Sequence, residues 1–185
     1  MAVGPVLRGI AATLRPIEIG DAARAIAIRN TPGFEVGLPP IPDDIRRQQD
    51  WIRAQREARD DYYYCVESLP GNATEGLIGL TAEPTVQGPW CEGGEWEWGR
   101  WASVARDPRT AVEGAALLIG LAMEWELPGV WVRVQSANSR LVAFHSRLGY
   151  SSHWSTDSED YFRAQRTDVP TLHRRLGGQK PQLVG

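Results

Sequence analysis

Cysteine is almost missing from this chain. Cys65 and Cys91 stand alone, at a spacing that fits neither a disulfide framework nor a zinc site. An excess of positive charge is missing as well. The net charge is −3 and the pI about 5.7, so a broad nucleic-acid surface is not implied. The opening "MAVGPVLRGIAATLRPIEIG" carries two arginines and no long apolar core, so it reads as neither a signal peptide nor a membrane span. A cytoplasmic protein is expected, and Asn72-Ala73-Thr74 is then a chance glycosylation sequon. Internal repeats are absent too. What is present in quantity is tryptophan, eight residues, with Trp90, Trp96, Trp98 and Trp101 close together.

A length of 185 residues suits one domain spanning 1–185, with a core over 13–166 and a tail that frays from about Gly177. Strands and helices alternate. "ATLRPIEI" reads as a strand, Asp21 caps a helix, and "NTPGFEVGLPPIPDD" is too rich in proline and glycine to be anything but a loop. A helix follows Asp44, with Ile45, Gln48, Ile52 and Gln55 stacked along it. "DYYYCVESL" and "EGLIGLTAE" form a hairpin around "PGNAT". "GEWEWGRWASVA" is the longest strand. Strict alternation puts Trp96, Trp98, Arg100, Ala102 and Val104 on one face, and Glu95, Glu97, Gly99 and Trp101 on the other. Gly114, Leu117, Leu118, Leu121, Ala122 and Trp125 keep helical spacing. "VWVRVQ" is a further strand and "YFRAQRTD" closes the set. The order argues for an α/β fold, helices packed on a mixed sheet.

Two stretches carry chemistry. In "NSRLVAFHSRLGY", Asn138 is a good helix N-cap, and Leu141, Phe144 and Leu148 share a face. Gly149 is the expected terminator. His145 lies one position beyond that face and is expected at the surface or behind the site. In "AVEGAA", small residues open a helix. Backbone amides of Val112, Glu113, Gly114, Ala115 and Ala116 could receive a pyrophosphate there, or the small residues could serve close helix packing. Glu113 is an awkward neighbour for an anion unless its carboxylate turns away.

The run "VQSANSRLVAFHSRLGY" resembles the signature of the GNAT superfamily of acyl-CoA-dependent N-acetyltransferases, at Val134, Asn138, Phe144, Gly149 and Tyr150. The likeness extends over residues 13 to 166, including "LRPIEIGDAARAIAIRN". It implies a GNAT fold, with parallel central strands splayed in a V and helices on both faces. It implies acetyl-CoA as co-substrate, no metal, and a small-molecule amine as partner, with no nucleic acid or membrane and with a homodimer allowed. Gly114 and Ala116 match the family's phosphate-binding motif, but Ala111 replaces its basic or amide residue, which Arg106 and Arg109 would compensate.

By the same resemblance, backbone near Val104 and Arg106 accompanies the pantetheine arm, and Asn138 and Phe144 contact the cofactor. Phe144 is taken to stand where many members carry a proton-donating tyrosine. A primary amine must lose a proton before it attacks, since alkylammonium groups have pKa near 10. Glu97 and Glu95, on the long strand, are the candidate bases. Phe34, in the proline-rich loop, and Trp98 are expected to shape the acceptor pocket. The reading is N-acetyl transfer to an amino sugar, amino acid or antibiotic intermediate. A protein-amine acetyltransferase, or an acyl-CoA-binding module without turnover, is the alternative.

Overall fold

The computed structural model describes residues 3–69, 71–82, 94–179 and 181–184. Trp90 and Cys91, and Pro70 of the expected hairpin turn, lie outside the described residues. In chain order the elements are β1 (Val6–Arg8), β2 (Ala12–Pro16), a 3-10 turn (Ile19–Asp21), α1 (Ala22–Arg29), α2 (Ile45–Glu57), β3 (Asp61–Ser68) and β4 (Ala73–Ala82). β5 (Trp96–Ser103), α3 (Pro108–Glu124), β6 (Gly129–Gln135), α4 (Ser139–His145), β7 (Ser152–Ser155), β8 (Glu159–Gln165), α5 (Val169–Arg175) and β9 (Gln182–Val184) follow.

The strands form one sheet in the order β7-β8-β6-β5-β4-β3-β2-β1-β9. Its ladders are antiparallel except that between β5 and β6. That pairing covers only Trp96↔Val130 and Glu97↔Trp131, after which the two strands part. The splayed parallel pair expected from the resemblance is therefore present.

Helices cover both faces. On one, Leu117, Leu118 and Leu121 of α3 and Leu172 of α5 pack with Leu14, Val66, Ile78 and Val132. On the other, Ala25 and Ile28 of α1 and Ile52 of α2 meet Tyr63, Cys65, Leu77 and Ala102. Each face removes apolar side chains from water, the main driving force for such layers.

Three elements differ from the sequence reading. The tail from Gly177 ends in β9, which pairs with β1 through Leu7↔Leu183. α3 begins at Pro108, six residues before Gly114, because Asp107 caps it and proline suits a first helical position. β5 does not alternate strictly: its register against β4 slips between Leu77 and Gly79, and Arg100 takes φ +51°. This bulge re-aims the side chains after it. Trp101 joins Trp98 at a ring separation of 5.8 Å, and the Arg100 guanidinium crosses to lie 4.8 Å from the centre of the Tyr63 ring on the opposite face.

Candidate active site

The parting of β5 and β6 leaves a cleft of about 170 Å³. Its walls are Gly99–Ser103 of β5, Val132–Gln135 of β6, the start of α4, and the loop after α1 at Phe34 and Leu38. Val104 donates its N–H to Glu75 O on β4 at 2.8 Å. Backbone groups of successive strand residues point to opposite sides, so those of Ser103 turn towards the splay, where β6 no longer pairs. A strand edge with unpaired donors and acceptors is the ready partner for an extended amide-containing chain. The amide of Val104 itself is committed to the sheet.

Asn138 closes one end of the cleft. Its Oδ1 accepts the N–H of Leu141 at 3.2 Å, capping α4, and its Nδ2 lies 3.1 Å from where a Cβ on Gly37 would stand. The loop after α1 thus reaches across to α4, and Phe34, Trp98 and Asn138 share one cleft. Gly149, beyond the helix, has φ +82°, the left-handed geometry its role as terminator requires.

Phe144 is not among the cleft-lining residues. It packs against Trp101 at 5.6 Å, half-buried at the edge of the core. The residues of α4 that reach the cleft are Leu141 and His145, and His145 is 1% exposed rather than at the surface. Its ring is boxed by Trp98, Phe144, Tyr150 and Phe162 at 5.2–5.8 Å. Burial pushes its pKa down to about 3, so the imidazole is neutral near pH 7.

The tautomer follows from the neighbours. Trp98 Nε1–H donates to the Tyr150 hydroxyl at 3.1 Å, and that hydroxyl lies 3.1 Å from His145 Nδ1. Indole only donates. Nδ1 is the one acceptor near the tyrosine proton among the described residues, which assigns that proton to Nδ1 and the imidazole hydrogen to His145 Nε2. That Nε2 is buried without a hydrogen-bond partner, a state that costs about 1–3 kcal/mol unless a ligand relieves it. The sequence signal was available: His145 stands four residues after Leu141 and three before Leu148, on the buried stripe.

The remaining expected site residues lie elsewhere. Gly114, Ala115 and Ala116 are buried in the second turn of α3 and beyond, where their amides bond within the helix rather than to a ligand. A Cβ on Gly114 would come within 2.9 Å of Val66 Cγ1, so the small residue serves close packing of helix on sheet. Val112 packs at the edge of the same core. The Glu113 carboxylate accepts the amides of Ile10, Ala11 and Ala12 at 2.9, 2.5 and 2.6 Å. It clamps the β1–β2 turn and faces away from any phosphate.

The true N-terminus of α3 carries Asp107, whose Oδ1 accepts the amide of Arg109 at 3.0 Å while the Arg109 guanidinium holds the same carboxylate at 2.7 Å. Arg106 and Arg109, both exposed, flank this end of the helix.

The two glutamates separate. Glu95 is 4% exposed and paired with Arg163, Nε to Oε1 at 2.8 Å and Nη2 to Oε1 at 2.7 Å. Both its oxygens are engaged, which suits a structural ion pair and not a base. Glu97 is half-buried beside Thr81 and Trp131, two residues before cleft-lining Gly99.

Residues 12–151 match the family described as acetyltransferase (GNAT) domain. The chain belongs to the GNAT acetyltransferase family. No curated protein sequence is significantly similar to it. Among solved structures it resembles apo FdhC, a nucleotide-linked sugar GNAT, with TM-score 0.75 and 19% identity over 95% of this chain and 98% of that one. A GNAT acetyltransferase from Chromobacterium violaceum gives 0.71 at 19% identity, over 91% of both chains. A spermidine N-acetyltransferase chimera from Vibrio cholerae and hSSAT gives 0.62 at 13%, over 87% of this chain and 99% of the other. At such identities the likeness is one of fold. No helix among the described residues is long and apolar enough to cross a membrane.

Proposed function

We propose that this chain is an N-acetyltransferase that moves the acetyl group of acetyl-CoA to the primary amine of a small molecule, an amino sugar, amino acid or natural-product intermediate. The observation that carries the reading is the cleft between β5 and β6, with unpaired strand backbone on one wall and His145, whose buried Nε2 has no hydrogen-bond partner, among its lining residues. Acetyl-CoA would supply an activated thioester; its pantetheine amides suit the open edge at Ser103, and Arg106 and Arg109 suit its phosphates.

The chain's own residues then have distinct tasks. The loop at Phe34 and Leu38 excludes water and holds the acceptor against β5. Glu97, through water, takes the proton that the amine releases as its nitrogen attacks the thioester carbonyl carbon. The carbon–sulfur bond breaks and the electron pair leaves on sulfur. His145 Nε2–H hydrogen-bonds the negative charge that develops, without giving up its proton. A thiol has pKa near 8.5, so the thiolate is a tolerable leaving group and water completes its protonation.

Release of free thiol from acetyl-CoA over a panel of primary amines tests this. Amine-dependent release that falls when Glu97 is replaced by Gln supports the reading. Tight acetyl-CoA binding with no release on any amine would favour an acyl-CoA-binding module instead.

A further inference from the structure

A second cavity, of about 260 Å³, opens between α1 and α2 on the face of the sheet that carries Tyr63. Its polar lining consists of Arg29, Arg47, Gln48 and Tyr63, and no carboxylate among the described residues borders it. Of the acids close in sequence, Asp44 spends an oxygen on capping α2 through Arg47 N at 3.0 Å, and Asp50 pairs with Arg53 at 2.6 Å. Trp51, Ile41 and Pro42 supply an apolar wall.

Two of the polar groups are buried and unsatisfied. Tyr63 is 4% exposed, and its hydroxyl lies beside the Arg29 guanidinium without completing a hydrogen bond. Arg29 is tethered through Nη2 to Pro39 O at 3.0 Å, yet its buried Nε has no partner either. Burial raises the Tyr63 pKa, so the hydroxyl stays protonated and able to donate. Arg47 makes no ion pair with a described residue. Cationic donors thus converge without a carboxylate among the lining residues to receive them. Each unsatisfied buried group costs about 1–3 kcal/mol, a cost that a bound ligand or water in this cavity would relieve.

The cavity adjoins the cleft through Tyr63, because Arg100, a cleft residue, covers that same ring at 4.8 Å. We infer that the α1–α2 cavity is an anion subsite for the acceptor, built to hold a carboxylate or phosphate carried by the amine substrate. This rests on the acetyltransferase reading and narrows its acceptor class. The anion sits against the donors of Arg29, Arg47 and Tyr63, and the body of the acceptor runs past Tyr63 towards the thioester. Fork-shaped guanidinium donors suit both carboxylate and phosphate oxygens.

The test uses matched amines. β-Alanine against β-alaninamide probes a carboxylate, and glucosamine 6-phosphate against glucosamine probes a phosphate. The parent should favour the anionic member of one pair by about tenfold or more in kcat/KM, and the favoured pair names the anion. Arg47→Ala and the isosteric Tyr63→Phe should each draw that ratio towards one. A ratio near one in both pairs, or a ratio that neither substitution moves, overturns the inference. Should no amine be acetylated, calorimetry of the parent with glucosamine 6-phosphate and with β-alanine separates the two claims. Binding weakened about tenfold by Arg47→Ala would keep the subsite while the transferase reading falls, and no binding of either compound overturns the subsite as well.

Discussion

His145 and Tyr150 share a hydrogen bond of 3.1 Å between Nδ1 and the phenolic hydroxyl, inside a box of aromatic rings. The bond does more than pack the two rings. Since the hydroxyl also accepts from Trp98, its own proton is directed to Nδ1, which assigns the imidazole hydrogen to Nε2, a buried atom of a cleft-lining residue. His145→Phe keeps an aromatic ring and deletes the donor. It should lower kcat by about 10²-fold, the usual consequence of losing one pre-placed donor, and change KM for acetyl-CoA much less. Phe144→Tyr, one residue earlier, should leave kcat close to the parent. Steady-state kinetics on both variants checks the pair.

The same histidine makes stability depend on acid. Its pKa in the folded chain is about 3, against 6.5 for an ordinary histidine. The unfolded chain therefore takes up a proton first as pH falls. The contribution is fully present above about pH 6.5 and is lost progressively between 6.5 and 3, at up to about 1.4 kcal/mol per pH unit. Urea unfolding at pH 6, 5 and 4 should show a shallower loss for His145→Phe than for the parent. Parallel losses would mean that His145 is not buried neutral.

Glu95 and Glu97 stand two residues apart and should respond differently. Glu95→Gln strands the charge of a buried Arg163 and should cost about 3–5 kcal/mol in stability. Glu97→Gln should leave the melting transition near the parent's and depress turnover near pH 7, with partial recovery at high pH where free amine is abundant. Thermal unfolding and a pH–rate profile on the two variants distinguish the roles. Reversed behaviour would exchange them.

Much of this was legible in the chain. Asn138, Gly149 and the apolar positions of α4 follow from capping and spacing, and the splayed pair follows from the resemblance they carry. The departures have physical causes. Arg100 adopts φ +51°, which an arginine does not advertise, so strict alternation misassigned Trp101 and Arg100. The start of α3 was marked by Asp107-Pro108, a cap and first-turn proline, but glycine at 114 drew the boundary inward although it only makes room for Val66. Glu113 could not be placed from sequence. Its three amide partners lie about a hundred residues away, in a turn that only the folded sheet brings near.

At the N-terminus of α3, Asp107→Asn keeps a capping side chain and removes a negative charge beside Arg106 and Arg109. Acetyl-CoA affinity should rise several-fold (roughly 3- to 10-fold) if the phosphates bind there. Glu113→Ala should instead destabilise the fold by about 2 kcal/mol, by releasing three amides, with little change in affinity. Calorimetry of both variants reads the contrast, and a loss of affinity confined to Glu113→Ala would return the phosphate site to the middle of the helix.

The central claim is that acetyl-CoA lies between β5 and β6 with its thioester beside His145. A crystal structure of the chain with acetyl-CoA tests it most directly. The account predicts pantetheine amides bonded to the main chain of Ser103, and a thioester oxygen or sulfur within hydrogen-bonding distance of His145 Nε2. Acetyl-CoA bound outside the splay, or a thioester remote from His145 with that nitrogen still unpartnered, would contradict it.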